Sequence, residues 1–86
     1  MKKLSFVDES WEDYSYWLKV DKKVIKRLDQ LIEETLKNPF EELGKPEPLK
    51  YKYQGCWSRR INQEHRLVYK VLDNEIIILS CRFHYD

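Results

Sequence analysis

The second half of the chain alternates apolar and polar residues in three segments, at residues 57–62, 66–72 and 75–84. Short polar stretches at residues 62–65 and 73–74 join these segments. Alternation with a period of two is typical of strands that bury one face, and short polar connections are typical of hairpins. The pattern therefore predicts an antiparallel meander, one face of which must be covered by other elements.

The first half of the chain predicts the covering elements. Apolar residues recur at helical spacing at Trp11, Tyr14 and Trp17-Leu18, which predicts a first helix with one apolar core stripe. Asp21 can cap a second helix, and Asn38 followed by proline ends it. The core face of that helix should consist of aliphatic residues at i, i+3, i+4 spacing, namely Val24, Ile25, Leu28, Leu31, Ile32 and Leu36.

Two helices followed by a run of strands indicate an α+β fold. We expect two N-terminal helices packed on one face of a twisted antiparallel sheet, with the other face open to a partner. Residues 4–7 add a short edge strand, and residues 1–86 form a single domain. Strict alternation in the last strand turns one set towards the core: Ile77, Leu79, Cys81 and Phe83. The set on the opposite face is Ile76, Ile78, Ser80, Arg82 and His84.

Short apolar runs and the cysteines bear on the compartment. Only Leu4–Val7 separates the basic start Met1–Lys3 from acidic residues, and the longest apolar run, Ile76–Leu79, is far shorter than a membrane span. We therefore expect a cytoplasmic protein with no membrane partner, in which Cys56 and Cys81 are free thiols. Neither cysteine lies at metal-ligand spacing, so no metal or other cofactor is expected.

The charge of the chain is unevenly distributed. Residues 1–44 contain eight Lys and Arg against ten Asp and Glu, a net charge of −2. Residues 45–86 contain eight Lys and Arg against five Asp and Glu, a net charge of +3. The basic excess coincides with the predicted strands and is a modest indication of a polyanionic partner.

The polar face of the predicted sheet could perform chemistry. In a meander, Arg60, Arg66, Arg82 and His84 converge on one surface, and Glu47 approaches from the preceding segment. A cationic surface with one histidine and one carboxylate is the minimum set of groups for cleaving an RNA phosphodiester. An ordinary solvated sheet face has the same alternation, so the spacing by itself leaves both interpretations open.

Four motifs identify a family that the chain resembles. They are Lys45-Pro46-Glu47-Pro48-Leu49-Lys50, Trp57-Ser58-Arg59-Arg60-Ile61, Glu64-His65-Arg66-Leu67-Val68-Tyr69 and Cys81-Arg82-Phe83-His84-Tyr85. In order and spacing these resemble the Txe/YoeB toxins of the RelE superfamily of type II toxin–antitoxin systems, over nearly the whole chain. The resemblance implies a fold similar to small microbial ribonucleases and cleavage of mRNA in the ribosomal A site. It also implies the ribosome and mRNA as partners, a cognate antitoxin of the YefM/Phd type and a possible homodimer.

The same resemblance assigns roles to single residues. Glu47 matches the general base, His84 the general acid, and Arg66 the residue that steadies the transition-state phosphate, with Arg60 beside it. Lys50 matches a supporting cation and Tyr85 a residue that orients the substrate. To these we add Arg82 as a substrate contact, whereas His65, in a turn, is interpreted as structural.

This chain departs from the family pattern at two places. The pattern usually ends at His-Tyr, whereas this chain adds Asp86, which places a further carboxylate beside the expected phosphate site. The loop before Gly44 reads Glu41-Glu42-Leu43, where relatives often have a glycine, and this should alter only the shape of the loop.

Two other functions stay open at this stage. One is a non-enzymatic superfamily toxin that binds DNA gyrase, and the other is an RNA-binding module without catalysis. The pairing of Glu47 with His84 favours the nuclease, because a protein that only binds needs neither a base nor an acid.

Overall fold

A computed structural model describes residues 2–41, 43–50 and 53–83 of the chain. The structure begins with one strand and two helices: β1 at Lys3–Phe6, α1 at Asp8–Val20 and α2 at Lys22–Lys37. Four further strands follow: β2 at Glu47–Pro48, β3 at Cys56–Arg60, β4 at Arg66–Val71 and β5 at Glu75–Ser80. Neither helix of these described ranges is long and apolar enough to cross a membrane.

The five strands form one sheet in the order β1-β5-β4-β3-β2. The expected fold class is confirmed, with both helices contributing to a core against one face of the sheet. Strands β2 to β5 pair antiparallel, whereas β1 pairs parallel with β5, so the sheet is mixed. Alternation within a strand carries no information on the direction of its neighbour, which is why the sequence did not reveal this pairing. The two-residue strand β2 is also absent from the sequence-based prediction.

Helix α2 follows its prediction closely. The Asp21 carboxylate accepts hydrogen bonds from the backbone N–H groups of Lys23 and Val24, at 3.0 and 3.3 Å, and so caps the helix. The helix ends at Lys37, beside the expected stop. Its buried apolar residues are Val24, Leu28, Leu31 and Ile32, with Ile25 and Leu36 packed at the margin of the core.

Helix α1 follows its prediction only in part. Trp17 is buried and Tyr14 packs against the core. Trp11 is 55% exposed and Leu18 is 51% exposed, so their expected core positions are wrong. Each step of three residues falls about 60° short of a full turn, so two such steps place Trp11 about 120° from Trp17. A stripe that repeats only every three residues therefore winds out of the core.

A β-bulge divides strand β5 into two phases. Its register runs Ile77 to Lys70 and Ile78 to Tyr69, and then passes from Tyr69 and Ile78 directly to Val68 and Ser80. Leu79 is therefore an extra residue, and a bulge of this kind reverses the alternation beyond it.

The bulge accounts for a wrong facing prediction. Ile76 and Ile78 are fully buried in the core, although strict alternation assigns them to the opposite face. Beyond the bulge, Ser80 and Cys81 lie on the sides that were predicted. The strand ends at Ser80 rather than at residue 84, and Phe83, expected in the core, is 59% exposed.

Candidate functional site

The face of the sheet away from the helices is organised by one row of cross-strand partners. Glu47 of β2 pairs with Ser58 of β3, Ser58 with Val68 of β4, and Val68 with Ser80 of β5. Directly opposed residues point to the same face of a sheet, so Glu47 is brought onto this face by its register. The sequence predicted that this face is open, but Ser58, Val68 and Ser80 are buried. Only part of the face is therefore exposed to solvent.

Two arginines form the next row of the same face. Arg60 of β3 pairs directly with Arg66 of β4, one step along the strands from the Ser58–Val68 pair. Diagonal neighbours on one face are about 7–8 Å apart, which places Glu47 one diagonal from Arg60. Like charges directly opposite each other destabilise a sheet, and an anion bound between them would remove that repulsion. The structure thus brings together three of the predicted site residues.

Glu47 and Arg60 are available for binding. Both are exposed, and neither side chain has a hydrogen bond or an ion pair among the residues that the structure describes. The backbone around Glu47 is nevertheless held, because β2 pairs with β3 and the Leu49 N–H donates to the Cys56 carbonyl at 2.9 Å. Lys50, one residue further, is also exposed. The carboxylate therefore extends from a positioned backbone between two prolines.

Arg66 is oriented by the turn that precedes it. Its Nη1 donates to the carbonyls of Asn62 and His65, at 2.5 and 3.1 Å, and the side chain is half-buried. A guanidinium has five N–H donors, so this arrangement leaves Nε and Nη2 for other acceptors. Such a fork suits the oxygens of a phosphate.

Residues 81–83 continue beyond β5 along a track made by other elements. The Cys81 N–H donates to Asp13 at 3.1 Å, and the Cys81 carbonyl accepts from the Trp17 indole at 2.9 Å. The Phe83 N–H donates to Nδ1 of His65 at 2.8 Å, and the Phe83 carbonyl accepts from the Arg66 N–H at 3.0 Å. These three residues, which we call the exit segment, are therefore fixed beside Arg66.

His65 has the structural role that was predicted for it. Its ring is buried, meets Trp17 edge-on at 4.8 Å between centroids, and accepts from the Phe83 N–H at Nδ1. This bond uses Nδ1 as the acceptor, which leaves Nε2 as the nitrogen that carries the ring proton. The residue is an anchor for the exit segment.

Arg82 occupies a different place from the one predicted. The sequence places it on the same face as Arg60, but its guanidinium carbon lies 3.6 Å above the ring of Tyr16 in α1 and 4.7 Å from that of Phe83. The other predicted site residues near this end, His84 and Tyr85, lie outside the described residues. Asp86 and Glu42, noted as departures from the family pattern, lie outside them as well.

Arg59 is the residue that the sequence analysis missed. It is fully buried, and its guanidinium donates to the Leu43 carbonyl at 2.7 Å, to the Asn38 carbonyl, and to the Tyr69 hydroxyl at 3.2 Å. Tyr69 in turn donates to the Pro39 carbonyl at 2.5 Å, and burial raises the pKa of Tyr69. The sequence did contain a signal for the burial of Arg59, because alternation places Arg59 on the core side of its strand, between Trp57 and Ile61.

Arg59 holds the connector, which we define as residues 38–41 and 43–44, against the sheet ahead of β2. Gly44 ends this connector with φ at +83°, where a Cβ would come within 2.7 Å of the Leu31 side chain and 3.1 Å of the Arg59 Cβ. The Gly44 carbonyl accepts from the Arg60 N–H at 2.7 Å. Only glycine combines this backbone conformation with so close an approach. The connector therefore has a defined path towards Glu47.

Metal-binding clusters and reactive cysteines are two other features that could supply chemistry within the described ranges. No group of three or more His, Cys, Asp or Glu within them could hold a metal ion. Both cysteines are buried free thiols, and burial, reinforced by the charge of Asp13, raises the pKa of Cys81 to about 12. A thiol with so high a pKa is a poor nucleophile near neutral pH.

The chain matches known proteins over nearly its whole length. Residues 6–85 match the family described as the YoeB-like toxin of the bacterial type II toxin–antitoxin system. It is 53% identical to Toxin YoeB of Escherichia coli (strain K12), over 96% of this chain and 99% of the relative.

Solved structures agree with the sequence match. The YoeB dimer from Staphylococcus aureus is 46% identical with a TM-score of 0.91, over 98% of each chain. The YoeB–YefM complex from the same organism contains a chain that is 44% identical with a TM-score of 0.89, over 99% of each chain. The chain therefore belongs to the YoeB-like toxin family of bacterial type II toxin–antitoxin systems.

Proposed function

We propose that this toxin cleaves mRNA in the A site of the ribosome by attack of the RNA's own 2′-hydroxyl, and thereby inhibits translation. The observation that carries the proposal is the register of Glu47 with Ser58, which puts a carboxylate on the face that presents Arg60 and Arg66. Phosphodiester cleavage requires a base, an acid and cations, and the proposed base shares this surface with two of the cations.

The reaction needs no group beyond side chains and the RNA. Glu47 accepts the proton of the 2′-hydroxyl while the 2′-oxygen forms a bond to the adjacent phosphorus. The bond from phosphorus to the 5′-oxygen then breaks, and His84 donates a proton to that oxygen. The products are a 2′,3′-cyclic phosphate and a 5′-hydroxyl. Each acid or base group is worth about 10²- to 10⁴-fold in rate.

The cations have distinct roles in this scheme. Arg66, whose Nη1 is held by two turn carbonyls, directs its remaining donors at the crowded phosphorane, where negative charge is greatest. Arg60 and Lys50 are exposed and contribute to phosphate binding in the ground state as well. A charge contact that peaks in the transition state affects rate more than binding.

The end of the chain supplies the acid in this proposal. His84 follows Phe83, whose backbone is bonded on one side to His65 and on the other to Arg66. That double attachment supports a general acid delivered beside the phosphate-binding arginine. Tyr85 orients the substrate, and Arg82 contributes from its stack on Tyr16.

The partners proposed for this chain follow its relatives. A Staphylococcus aureus relative forms a complex with YefM and another structure is a YoeB dimer, which supports an antitoxin of the YefM/Phd type and a homodimer here. The basic half of the chain, net +3 over residues 45–86, suits both an acidic antitoxin segment and ribosome-bound mRNA.

Cleavage on translating ribosomes tests the proposal. Wild-type protein should produce truncated mRNA with 5′-hydroxyl ends, and chelation by EDTA at concentrations that ribosomes tolerate should not abolish it. Glu47→Gln should lower the single-turnover rate by about 10²-fold or more, because the amide cannot accept the proton. Glu41→Gln, an exposed acidic residue of the connector, is the matched control and should cut at the wild-type rate.

Several outcomes would count against the proposal. Ends with a 5′-phosphate, or a strict need for a catalytic metal, would contradict the mechanism. Growth arrest that begins with DNA replication while mRNA stays intact would favour a toxin that binds gyrase. RNA binding without any cleavage would favour a non-catalytic module.

A further inference from the structure

We infer that Tyr16, Arg82 and Phe83 form a stacking platform for a nucleobase of single-stranded RNA. The inference rests on the proposed function, since it assigns a base-binding subsite to the RNA site described above. It concerns three side chains that the proposed acid–base chemistry does not need for proton transfer.

The platform is a cluster of three neighbouring side chains at the protein surface. The Arg82 guanidinium lies over both aromatic rings, with its central carbon 3.6 Å from the centroid of Tyr16 and 4.7 Å from that of Phe83. Phe83 is 59% exposed and Tyr16 is 37% exposed, so the stack presents aromatic surface to solvent.

The backbone of Phe83 is held in a conformation that a bulky residue seldom adopts. Its φ is +68°, in the left-handed region that normally favours glycine. The conformation is held by the bonds of its N–H to His65 and of its carbonyl to the Arg66 N–H. Strain of this kind persists where surrounding contacts impose it, and it often marks a binding site. Here it turns a phenyl ring outwards beside Arg66.

The chemistry of the stack matches a nucleobase. Single-stranded RNA is recognised by unstacked bases that lie on aromatic rings and on the planes of arginine guanidinium groups. The Arg66 N–H bonds directly to the Phe83 carbonyl, and Arg60 pairs with Arg66. These two arginines would hold the phosphate of the same nucleotide or its neighbour. A base on the platform and a phosphate on the arginines would fix the strand at two points.

Binding of uncleavable oligonucleotides isolates this contact. The probe is a short single-stranded DNA with a fluorescent label, which lacks the 2′-hydroxyl that the proposed reaction needs. Its counterpart has the same number of phosphates but abasic sites in place of bases. Anisotropy titrations at low salt, where phosphate contacts are strong, measure both affinities.

The platform predicts a loss that depends on the base. Phe83→Leu keeps apolar bulk but removes the ring, and should weaken binding of the base-bearing strand about tenfold without changing that of the abasic strand. Phe83→Trp should bind at least as tightly as the wild type. Tyr16→Leu should act in the same direction as Phe83→Leu, and Trp11→Leu, which removes an exposed ring of the same helix away from the stack, should have no effect.

The outcomes separate this inference from the proposed nuclease function. Equal affinity of the wild type for both strands, no binding of either strand, or an equal loss for both strands in Phe83→Leu would overturn the platform. Glu47→Gln should retain base-dependent binding. If the wild type binds in a base-dependent manner but cuts no mRNA on ribosomes, the platform stands and the nuclease mechanism fails.

Discussion

The connector and the exit segment perform similar tasks by different means. Each is an irregular stretch that leads to a residue proposed for catalysis. The connector runs from α2 towards Glu47, and the exit segment runs from β5 towards His84. The connector is held mainly by one buried guanidinium, Arg59, which bonds two of its carbonyls and the hydroxyl of Tyr69. The exit segment is held by single bonds from several elements.

The two segments should therefore respond differently to the loss of one side chain. Carbonyls buried around one cation lose their partners together when that cation is removed. In the exit segment, Asp13, Trp17 and His65 each satisfy a different backbone group, so one substitution leaves the other bonds in place. The connector should therefore respond to mutation as a unit, and the exit segment step by step.

Removal of Arg59, the main anchor of the connector, should destabilise the protein more than any other change considered. Arg59→Met should lower the free energy of unfolding by about 3 kcal/mol, because it leaves buried carbonyls and the Tyr69 hydroxyl without their donors. Urea denaturation measures the change. Arg60→Met is the matched control on the next residue, and it should change the free energy of unfolding by less than about 0.5 kcal/mol because its side chain is exposed.

Equal stability of Arg59→Met and Arg60→Met would show that Arg59 is not the main anchor of the connector. In that case the backbone of the connector, including the bond between the Gly44 carbonyl and the Arg60 N–H, would be a sufficient attachment.

A smaller effect tests the distributed anchors. His65→Ala should lower the free energy of unfolding by about 2 kcal/mol, through loss of the Phe83 bond and of packing against Trp17. Hydrogen exchange should show faster exchange of the Phe83 amide, with little change in the amides of β4. His65→Asn, whose side-chain oxygen can accept from the same N–H, should restore part of the protection.

Uniform acceleration of exchange across the sheet in His65→Ala would contradict the expected stepwise behaviour. It would mean that the exit segment unfolds together with the core rather than locally.

The smallest effect concerns the first residue of the exit segment and depends on pH. Burial raises the pKa of the Cys81 thiol from 9.0 to about 12, so as pH rises above 9 the unfolded chain loses this proton before the folded chain does. Stability contributed by the protonated thiol is therefore present below pH 9 and is lost towards pH 12. Between pH 7 and 10 the loss should be about 1 kcal/mol.

Chemical denaturation across this pH range checks the effect. Cys81→Ala should show a shallower decline of unfolding free energy with pH than the wild type. Cys56→Ala retains Cys81 and should keep the wild-type decline. An identical slope in Cys81→Ala and Cys56→Ala would show that the ionisation of Cys81 does not couple to folding.

The sequence predicted the position of a site residue only where that position depends on the residues next to it in the chain. Glu47, Arg60 and Arg66 were assigned from motifs, and their placement on one face agrees with that expectation. Arg82 was placed by alternation, and alternation does not hold past the end of a strand, where a stack on Tyr16 of another element takes over. Arg59 was overlooked because its partners lie 16 and 21 residues away in the chain.

The helices, the meander of β3, β4 and β5, the Asp21 cap and the aliphatic face of α2 could be predicted from the amino-acid sequence. These structural features arise from interactions within a few residues, namely helical periodicity, capping and strand alternation. The parallel pairing of β1, the facing of Ile76 and Ile78, and the burial of Arg59 depend on contacts between distant parts of the chain. Residues 76–79 are all apolar, so either phase of alternation would give an apolar face. The register with β4 therefore decides which of these residues meet the helices.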